Sequence, residues 1–196
     1  MSKTAEAWAG SWGQEYTARN RVDWRARIPF WRDVLDMTGA RSVYEAGTNA
    51  GFNLTAIKHA DPLVQVYGCE VNDTAATQAE RAGFRIGRGK AADCLERRQA
   101  EYDLTFSAGV LIHVPPAELR PTMTAIADAS ADYVLAVEYA ADKEEEVEYR
   151  GQPAMLWRRP YGKLYEAMGL HLVKEWDAGV GFDRCLAVLL RKPVAP

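Results

Sequence analysis

Short β-branched runs alternate along this chain with longer segments whose apolar residues recur at helical spacing. This rhythm is typical of consecutive β-α units and predicts an α/β fold: a mostly parallel seven-stranded sheet with helices on both faces. The predicted strands are 42–46, 65–70, 84–88, 102–108 and 133–139, with 171–177 and 184–191 as an antiparallel hairpin at the sheet edge. The predicted helices are 28–38, 52–59, 74–82, 95–100 and 115–128.

The composition limits the class of protein. A chain of 196 residues is long enough for one domain, 1–196, whose core needs no disulfide or metal. A formal net charge of -3 provides no overall basic field, so we expect no nucleic-acid partner. Three scattered cysteines, no leader-like start and no apolar run of membrane length favour a cytoplasmic protein that does not bind a membrane.

Two stretches stand outside the alternating pattern. Residues 1–27 are rich in aromatic and polar side chains and precede any strand, so we expect a helical N-terminal arm that acts as a lid. Residues 140–160 are polar and irregular, and we expect them to form an insertion on the substrate side. The acidic run 142–148 within it is typical of a solvated face.

The strongest local signal is Tyr44-Glu-Ala-Gly-Thr-Asn-Ala-Gly51, where the first predicted strand turns into a helix. Gly47 permits a tight turn, and Gly51 lets the helix N-terminus approach a nucleotide-like ligand. The dinucleotide fingerprint needs a third glycine, where this chain has Asn49. The loop instead resembles the first motif of class I S-adenosylmethionine-dependent methyltransferases, which passes beneath the methionine part of the cofactor. The resemblance implies cofactor contacts from Glu45, Gly47, Thr48 and Asn49.

A second acidic residue lies about twenty positions further along. Glu70 ends the next predicted strand, where a carboxylate can accept hydrogen bonds from both ribose hydroxyls of an adenosine, although a surface glutamate fits there too. Val71 follows it in the same candidate site. In methyltransferases of this class a small residue and an acid often face the adenine, which implies Ala92 and Asp93; Asp93 also fits the N-cap of the next helix.

The fourth predicted strand ends on the same rim. Its small residues Ser107 and Ala108 would let a methyl donor lie close to the backbone. His113 then follows, either as a general base for a hydroxyl acceptor or as a packed structural residue. Glu138 and Tyr139, at the end of the fifth strand, are the second candidates for that base. An amine acceptor would need only its lone pair.

The N-terminal arm carries an aromatic and basic face. Tyr16, Arg19 and Asn20 share one side of the predicted helix, which suits either a lid or ordinary packing. The ring of Tyr16 could stabilise a sulfonium cation. Tyr16 and Arg19 are therefore further candidate cofactor contacts.

Several segments extend the resemblance to most of the chain. They are Trp12-Gly-Gln-Glu-Tyr-Thr-Ala-Arg-Asn20, Gly109-Val-Leu-Ile-His113, Glu148-Tyr-Arg-Gly151 and Leu156-Trp-Arg-Arg159. Together with the glycine loop they resemble the pseudaminic-acid-biosynthesis-associated methylase family. The resemblance implies an enzyme that uses S-adenosylmethionine, releases S-adenosylhomocysteine and methylates a small polar metabolite such as an amino sugar, a nucleotide sugar or an amino-acid-like molecule. We expect a monomer or homodimer.

The substrate side offers three arginines. Arg150, Arg158 and Arg159 could bind a carboxylate or phosphate of the substrate, because guanidinium groups match those anions, or they could be ordinary surface residues.

Two alternative functions remain open. Tyr139-Ala-Ala-Asp-Lys143 matches the Tyr-x-x-x-Lys pattern of short-chain NAD(P) oxidoreductases, although it follows a strand and the three-glycine fingerprint is missing. The replacement of the middle glycine by Asn49 suits a non-catalytic partner protein that binds the cofactor and keeps the fold. The three histidines are scattered, so we predict no metal site.

Overall fold

The computed structural model describes residues 2–20 and 22–193, so Met1, Arg21 and the last three residues of the expected 1–196 domain lie outside the described part. The strands are β1 (Ser42–Ala46), β2 (Gln65–Glu70), β3 (Arg85–Arg88), β4 (Tyr102–Ala108), β5 (Ser130–Glu138), β6 (Glu145–Tyr149), β7 (Gln152–Arg158), β8 (His171–Asp177) and β9 (Leu186–Arg191). The α-helices are α1 (Lys3–Ala9), α2 (Ser11–Arg19), α3 (Ile28–Thr38), α4 (Phe52–Ala60), α5 (Asp73–Arg81), α6 (Ala91–Leu95), α7 (Pro116–Ala129) and α8 (Tyr161–Glu166). Trp24–Arg27 and Leu111–His113 form 3-10 helices.

Seven of these strands form one sheet in the order β3-β2-β1-β4-β5-β9-β8. Strands β1 to β5 are parallel, and β9 is antiparallel to β5. Strand β8 is antiparallel to β9 and therefore runs in the same direction as β1 to β5, and the two strands form the antiparallel hairpin that the sequence predicts at the sheet edge. The chain runs outward from β1 to β3 and then returns to the other side of β1 with β4. In such open sheets, ligands bind at the carboxyl ends of the strands where the order reverses, here β1 and β4.

Helices cover both faces of the sheet. In β5, Val134 and Ala136 face one core cluster while Leu135 and Val137 face the other, as the period of two in a strand requires. A strand that is buried on both faces contains a continuous apolar run, which is why the sequence identified this one clearly. Trp31 of α3 is fully buried in the second cluster. Within the described ranges, no helix combines the length and the apolarity that a bilayer span requires.

Two local predictions were wrong. The helix expected at 95–100 lies instead at 91–95, because the chain must turn before β4: Ala100 has φ of 47° and its N–H donates to the carbonyl of Asp128. The stretch 140–160 is not irregular. It forms an antiparallel hairpin of β6 and β7 with a turn at Arg150 and Gly151, both at positive φ. The sequence also gave no indication of α8.

Candidate functional site

The loop between β1 and α4 is a compact turn held against β2. The N–H groups of Gly47 and Thr48 both donate to the carbonyl oxygen of Cys69 at 2.9 Å. Gly47 and Gly51 have φ of 79° and 82°, which glycine adopts without steric cost. Asn49 also has a positive φ, 47°, a region that asparagine occupies more readily than most side chains. The loop therefore keeps its turn with asparagine where the motif has its middle glycine.

Glu70 lies at the carboxyl end of β2, and backbone amides hold both of its oxygens. Oε2 accepts from the N–H of Asn49 at 2.7 Å, and Oε1 accepts from the N–H of Asn72 at 2.9 Å. Burial raises the pKa of Glu70, and these two amide donors oppose that rise. A carboxylate oxygen accepts up to two hydrogen bonds, so each oxygen keeps a lone pair for a ligand.

A cavity opens beside this loop at the carboxyl ends of the central strands, and we call it the loop cavity. One side is lined by Gly47, Asn49, Glu70 and Val71. Residues 89–91 and 108–110 line the other sides, and Trp8 of α1 and His113 also face it. The cavity therefore combines the glycine loop, the held carboxylate and the N-terminal arm in one enclosure.

A second cavity adjoins the first, and we call it the hairpin cavity. The arm contributes Tyr16, Arg19 and Asn20 to it, and the hairpin contributes Tyr149 and Arg150. Tyr139, which follows β5, and the exposed Asp183 add to the polar part of the wall, together with Arg27 and Cys185. Both cavities share four residues: Tyr16, Ala108, Gly109 and His113. A ligand in one cavity would thus meet a ligand in the other over the end of β4.

His113 lies at the junction of the two cavities. Its Nδ1 is 2.6 Å from the carbonyl oxygen of Met155, which can only accept, so Nδ1 carries the hydrogen and Nε2 carries the lone pair. The imidazole packs between the rings of Trp8 and Tyr149, with centroid distances of 4.5 Å and 5.1 Å. Burial lowers the pKa of His113 to about 4. The side chain is therefore a neutral imidazole at physiological pH.

The arm is attached at two points, neither of which the sequence pointed to. The side-chain Nδ2 of Asn72 lies 3.0 Å from the carbonyl oxygen of Trp8, and within 3.3 Å of those of Ala9 and Gly10. On the other side, the hydroxyl of Thr4 donates to the carbonyl of Ala154 in the hairpin at 3.3 Å. The arm therefore bridges the edge of the loop cavity and the hairpin.

Glu45 lies beneath the glycine loop and does not line either cavity. Its Oε1 accepts from the Nδ2 of Asn53 at 2.6 Å, and the Oδ1 of Asn53 accepts from Nη1 of Arg27 at 2.8 Å. Burial raises the pKa of Glu45 to about 8, against the opposing effects of Asn53 and Arg27. Its Oε2 is buried without a hydrogen-bond partner among the described residues.

Two buried charged side chains support the 3-10 helix that carries His113. Glu138 accepts hydrogen bonds from the N–H groups of 110–112 at 3.1 to 3.3 Å. Arg159 is fully buried and donates from Nη1 to the carbonyl of Leu111 at 2.8 Å and from Nε to Glu144 at 2.6 Å. Glu138 and Arg159 thus both hold the backbone at the start of this turn. Neither residue lines the hairpin cavity, so Glu138 is not placed there as a base and Arg159 is not placed there to bind an anion.

The other sequence candidates divide by position. Thr48 and Ser107 are buried behind the cavity walls. Ala92 and Asp93 do not line the loop cavity; Asp93 lies inside α6, not at its N-cap, and its carboxylate is 3.8 Å from the ammonium of Lys90. Arg158 donates to the carbonyl of Ala140. Of the three candidate arginines, Arg150 is the one that lines the hairpin cavity. Within the described ranges, no three histidine, cysteine or acidic side chains are grouped as metal ligands.

Comparison with known proteins identifies the fold of the chain through solved structures alone. Neither a protein-family model nor a curated protein sequence matches the chain. Among solved structures, magnesium protoporphyrin IX methyltransferase from Synechocystis with bound S-adenosylhomocysteine aligns with a TM-score of 0.72 at 14% identity, over 96% of this chain and 98% of that one. The chain has the class I methyltransferase fold.

Two further structures share this methyltransferase fold. One is the 1,6-didemethyltoxoflavin-N1-methyltransferase of Burkholderia thailandensis with bound 1,6-didemethyltoxoflavin and S-adenosylhomocysteine, with a TM-score of 0.69, 16% identity and coverage of 95% and 84%. The other is a sugar N-methyltransferase from a Streptoalloteichus species, with a TM-score of 0.69, 17% identity and 94% coverage of both chains. At these identities the similarity is one of fold.

Proposed function

We propose that this protein is an S-adenosylmethionine-dependent methyltransferase that transfers a methyl group to an oxygen or nitrogen atom of a small polar metabolite. The observation that carries the proposal is the position of Glu70. Its carboxylate is held at both oxygens by amides and still faces the loop cavity with free lone pairs. Two vicinal ribose hydroxyls are a matching pair of donors.

The residues present fit the rest of this cofactor. Val71 and the segment 89–91 leave space beside Glu70 for the adenine, and the turn at Gly47 and Asn49 suits the methionine part. Arg19 lines the hairpin cavity, where its guanidinium lies 5.5 Å from the ring centroid of Tyr16 and suits the methionine carboxylate. Asp93 remains without a cofactor contact in this arrangement.

When bound, the cofactor supplies a sulfonium whose methyl group is the electrophile. The chain's own contribution is to position the two ligands and to exclude water. Tyr16 presents a ring to the shared region of the cavities, where a cation is stabilised by an aromatic face. Burial raises the pKa of Tyr16 to about 12, so it stays a neutral phenol. The arm, attached through Asn72 and Thr4, covers the site.

The acceptor belongs in the hairpin cavity. Arg150 supplies a guanidinium there, which suits a carboxylate or phosphate on the substrate. The resemblance of the sequence motifs to those of the pseudaminic-acid-biosynthesis-associated methylases favours an amino sugar, a nucleotide sugar or an amino-acid-like acceptor. The fold neighbours named above act on a sugar, a toxoflavin precursor and a porphyrin, so the fold leaves this choice to the residues of the cavity.

The oxidoreductase alternative has less support. Tyr139 lines the hairpin cavity, but Lys143 lines neither cavity, so the two residues of the Tyr-x-x-x-Lys pattern do not meet in the site. The alternative of a non-catalytic binding protein depends on Asn49 in place of the middle glycine. Asn49 adopts a positive φ, so the loop keeps its turn despite this replacement.

Isothermal titration calorimetry with S-adenosylhomocysteine tests the proposal. We expect saturable binding that Glu70→Ala weakens by more than about tenfold, since two charge-assisted hydrogen bonds are lost. Glu96→Ala, at an exposed position outside both cavities, is the matched control and should bind as the native protein does. No binding to the native protein, or equal binding to both variants, would contradict the proposal.

A further inference from the structure

The hairpin cavity contains few groups that could take a proton from an acceptor. Among the described residues that line it, Asp183 is the single carboxylate, and it is exposed to solvent. Two buried carboxylates nearby line neither cavity: Glu138 accepts from the amides of 110–112, and Oε1 of Glu45 accepts from Asn53. A hydroxyl acceptor needs a base in the transition state, because its oxygen is a poor nucleophile while it keeps its proton.

Cys185 and Tyr139 also line this cavity and keep their protons at physiological pH. Burial raises the pKa of the Cys185 thiol to about 12 and that of the Tyr139 phenol further. Arg19, Arg27 and Arg150 also line this cavity with their guanidinium groups. Cations near an amine favour its uncharged form, the form whose lone pair is free to react.

His113 has the geometry of a hydrogen-bond acceptor in this setting. The contact of Nδ1 with the carbonyl of Met155 leaves the lone pair on Nε2, and the rings of Trp8 and Tyr149 fix the plane of the imidazole. Burial keeps the imidazole neutral, which makes it a weak base but an acceptor at all physiological pH values. A ligand N–H group that donates to Nε2 would lie where the two cavities meet, because His113 lines both.

We propose that the acceptor is an uncharged amine on an anionic small molecule, and that Nε2 of His113 accepts a hydrogen bond from an N–H of this amine and so directs the amine lone pair toward the methyl donor. This proposal rests on the methyltransferase function proposed above. The nitrogen lone pair forms the new N–CH₃ bond as the C–S bond breaks and its electron pair returns to sulfur. The positive charge passes to the methylated ammonium, which then releases a proton to water.

Matched acceptor pairs test the substrate class. Each pair differs in a single group: D-glucosamine 6-phosphate with D-glucose 6-phosphate, and D-glucosaminate with D-gluconate. With radiolabelled S-adenosylmethionine and full-length protein, we expect label in the amines at least about tenfold faster than in the alcohols. Equal or faster labelling of an alcohol overturns the inference. Binding of S-adenosylhomocysteine with no label in any amine also overturns it and leaves the proposed cofactor function standing, whereas the absence of that binding contradicts the proposed function itself.

Three substitutions of His113 then separate the possible roles, with the amine that is labelled fastest as substrate. His113→Gln places an amide oxygen near the position of Nε2, while His113→Asn places its amide near Nδ1 and keeps a donor for Met155. We expect kcat/KM of the glutamine variant within about tenfold of the native value, and losses of about a hundredfold or more for His113→Asn and His113→Ala. If only His113→Asn keeps a native-like kcat/KM, His113 has a structural role. If all three variants lose kcat/KM, His113 acts as a general base. Either result overturns the assignment of Nε2 as a hydrogen-bond acceptor.

Discussion

The backbone N–H of Asn72 donates to the Oε1 of Glu70 at 2.9 Å, while the side chain of Asn72 binds the N-terminal arm. The Oδ1 of the same side chain caps α5 by accepting from the N–H groups of Thr74 and Ala75. One residue thus connects the carboxylate that we assign to the ribose, the start of a helix and the lid. Displacement of the arm and loss of cofactor affinity should therefore occur together.

Substitution of Asn72 by aspartate should separate these roles. Asn72→Asp keeps an oxygen for the helix cap, but it replaces the donor of the arm by a negative charge facing three carbonyl oxygens. We expect amide hydrogen exchange in 3–19 to accelerate and S-adenosylhomocysteine affinity to fall by about tenfold. Asn72→Ala should lose the cap as well, at a further cost of about 1 kcal/mol.

The exposed Asp73, next in the chain, provides the control for that experiment. Asp73→Ala removes a surface ion pair with Arg88 and should leave both exchange in the arm and cofactor affinity unchanged. Unchanged exchange in the arm of Asn72→Asp would show that the three carbonyl contacts do not hold the arm.

Gly68 is required by close packing of β2 against the glycine loop. A Cβ at this position would lie 2.8 Å from the carbonyl oxygen of Glu45 and overlap the side chain of Thr48. We expect Gly68→Ala to lower the free energy of unfolding by about 1–3 kcal/mol and to weaken S-adenosylhomocysteine binding, because the loop must shift. Gly87→Ala is the matched strand control: its nearest neighbour would be the Cys94 sulfur at 3.4 Å, so its stability should change little. Denaturant unfolding of both variants checks the contrast.

The burial of Glu138 leads us to expect that the free energy of unfolding falls as the pH rises. Burial raises its pKa in the folded protein to about 7, so the folded state binds the proton more tightly than the unfolded state does. The protonated Glu138 therefore contributes to the free energy of unfolding in full at pH values below its unfolded-state pKa of 4.5. This contribution is lost as the pH rises through the folded-state pKa of about 7.

Comparison with Glu138→Gln isolates this effect from other titrating groups. Between pH 5 and pH 8, the difference in unfolding free energy should shift in favour of the variant by about 2–3 kcal/mol. Glu166→Gln, on an exposed helix position, should show no such shift. A difference for Glu138→Gln that is constant across this range would contradict the raised pKa.

Arg159 and its neighbour Arg158 provide a contrast between a buried and an exposed guanidinium. Arg159→Met removes the hydrogen bonds to Leu111 and Glu144 from a fully buried position, and we expect a loss of about 2–3 kcal/mol in unfolding free energy. Arg158→Met should cost at most about 0.5 kcal/mol, because its partner carbonyl at Ala140 remains open to water. Equal melting temperatures for the two variants would contradict this distinction.

The sequence predicted the parts of the site that depend on local pattern. The glycine loop and Glu70 follow apolar strands at fixed spacing, so their meeting at one sheet edge follows from the parallel order. Asn72 was missed, although an asparagine before Asp-Thr is a helix-cap signal. Its partners in the arm are 62 to 64 residues away, and no short-range pattern records such a contact.

The hairpin was missed for a different reason. Strand β6 contains three glutamates, which have low strand propensity, and the alternation of Val147 and Tyr149 covers too few residues to predict a strand alone. Pairing with β7 decides its structure, and the carboxylate of Glu146 accepts from the N–H of Ala154 at 2.8 Å. Tertiary contacts thus determined the wall of the hairpin cavity, while local sequence predicted the glycine loop and Glu70 in the wall of the loop cavity.

The hairpin of β6 and β7 belongs to a separate two-stranded sheet, and a single parallel bridge between Ala140 and Arg159 closes its base. We expect insertions at the turn of this hairpin to leave the register of the seven main strands unchanged. Relatives of this chain should then differ in acceptor mainly through the length and composition of 145–158. Grafting that segment between homologues is a direct route to altered specificity.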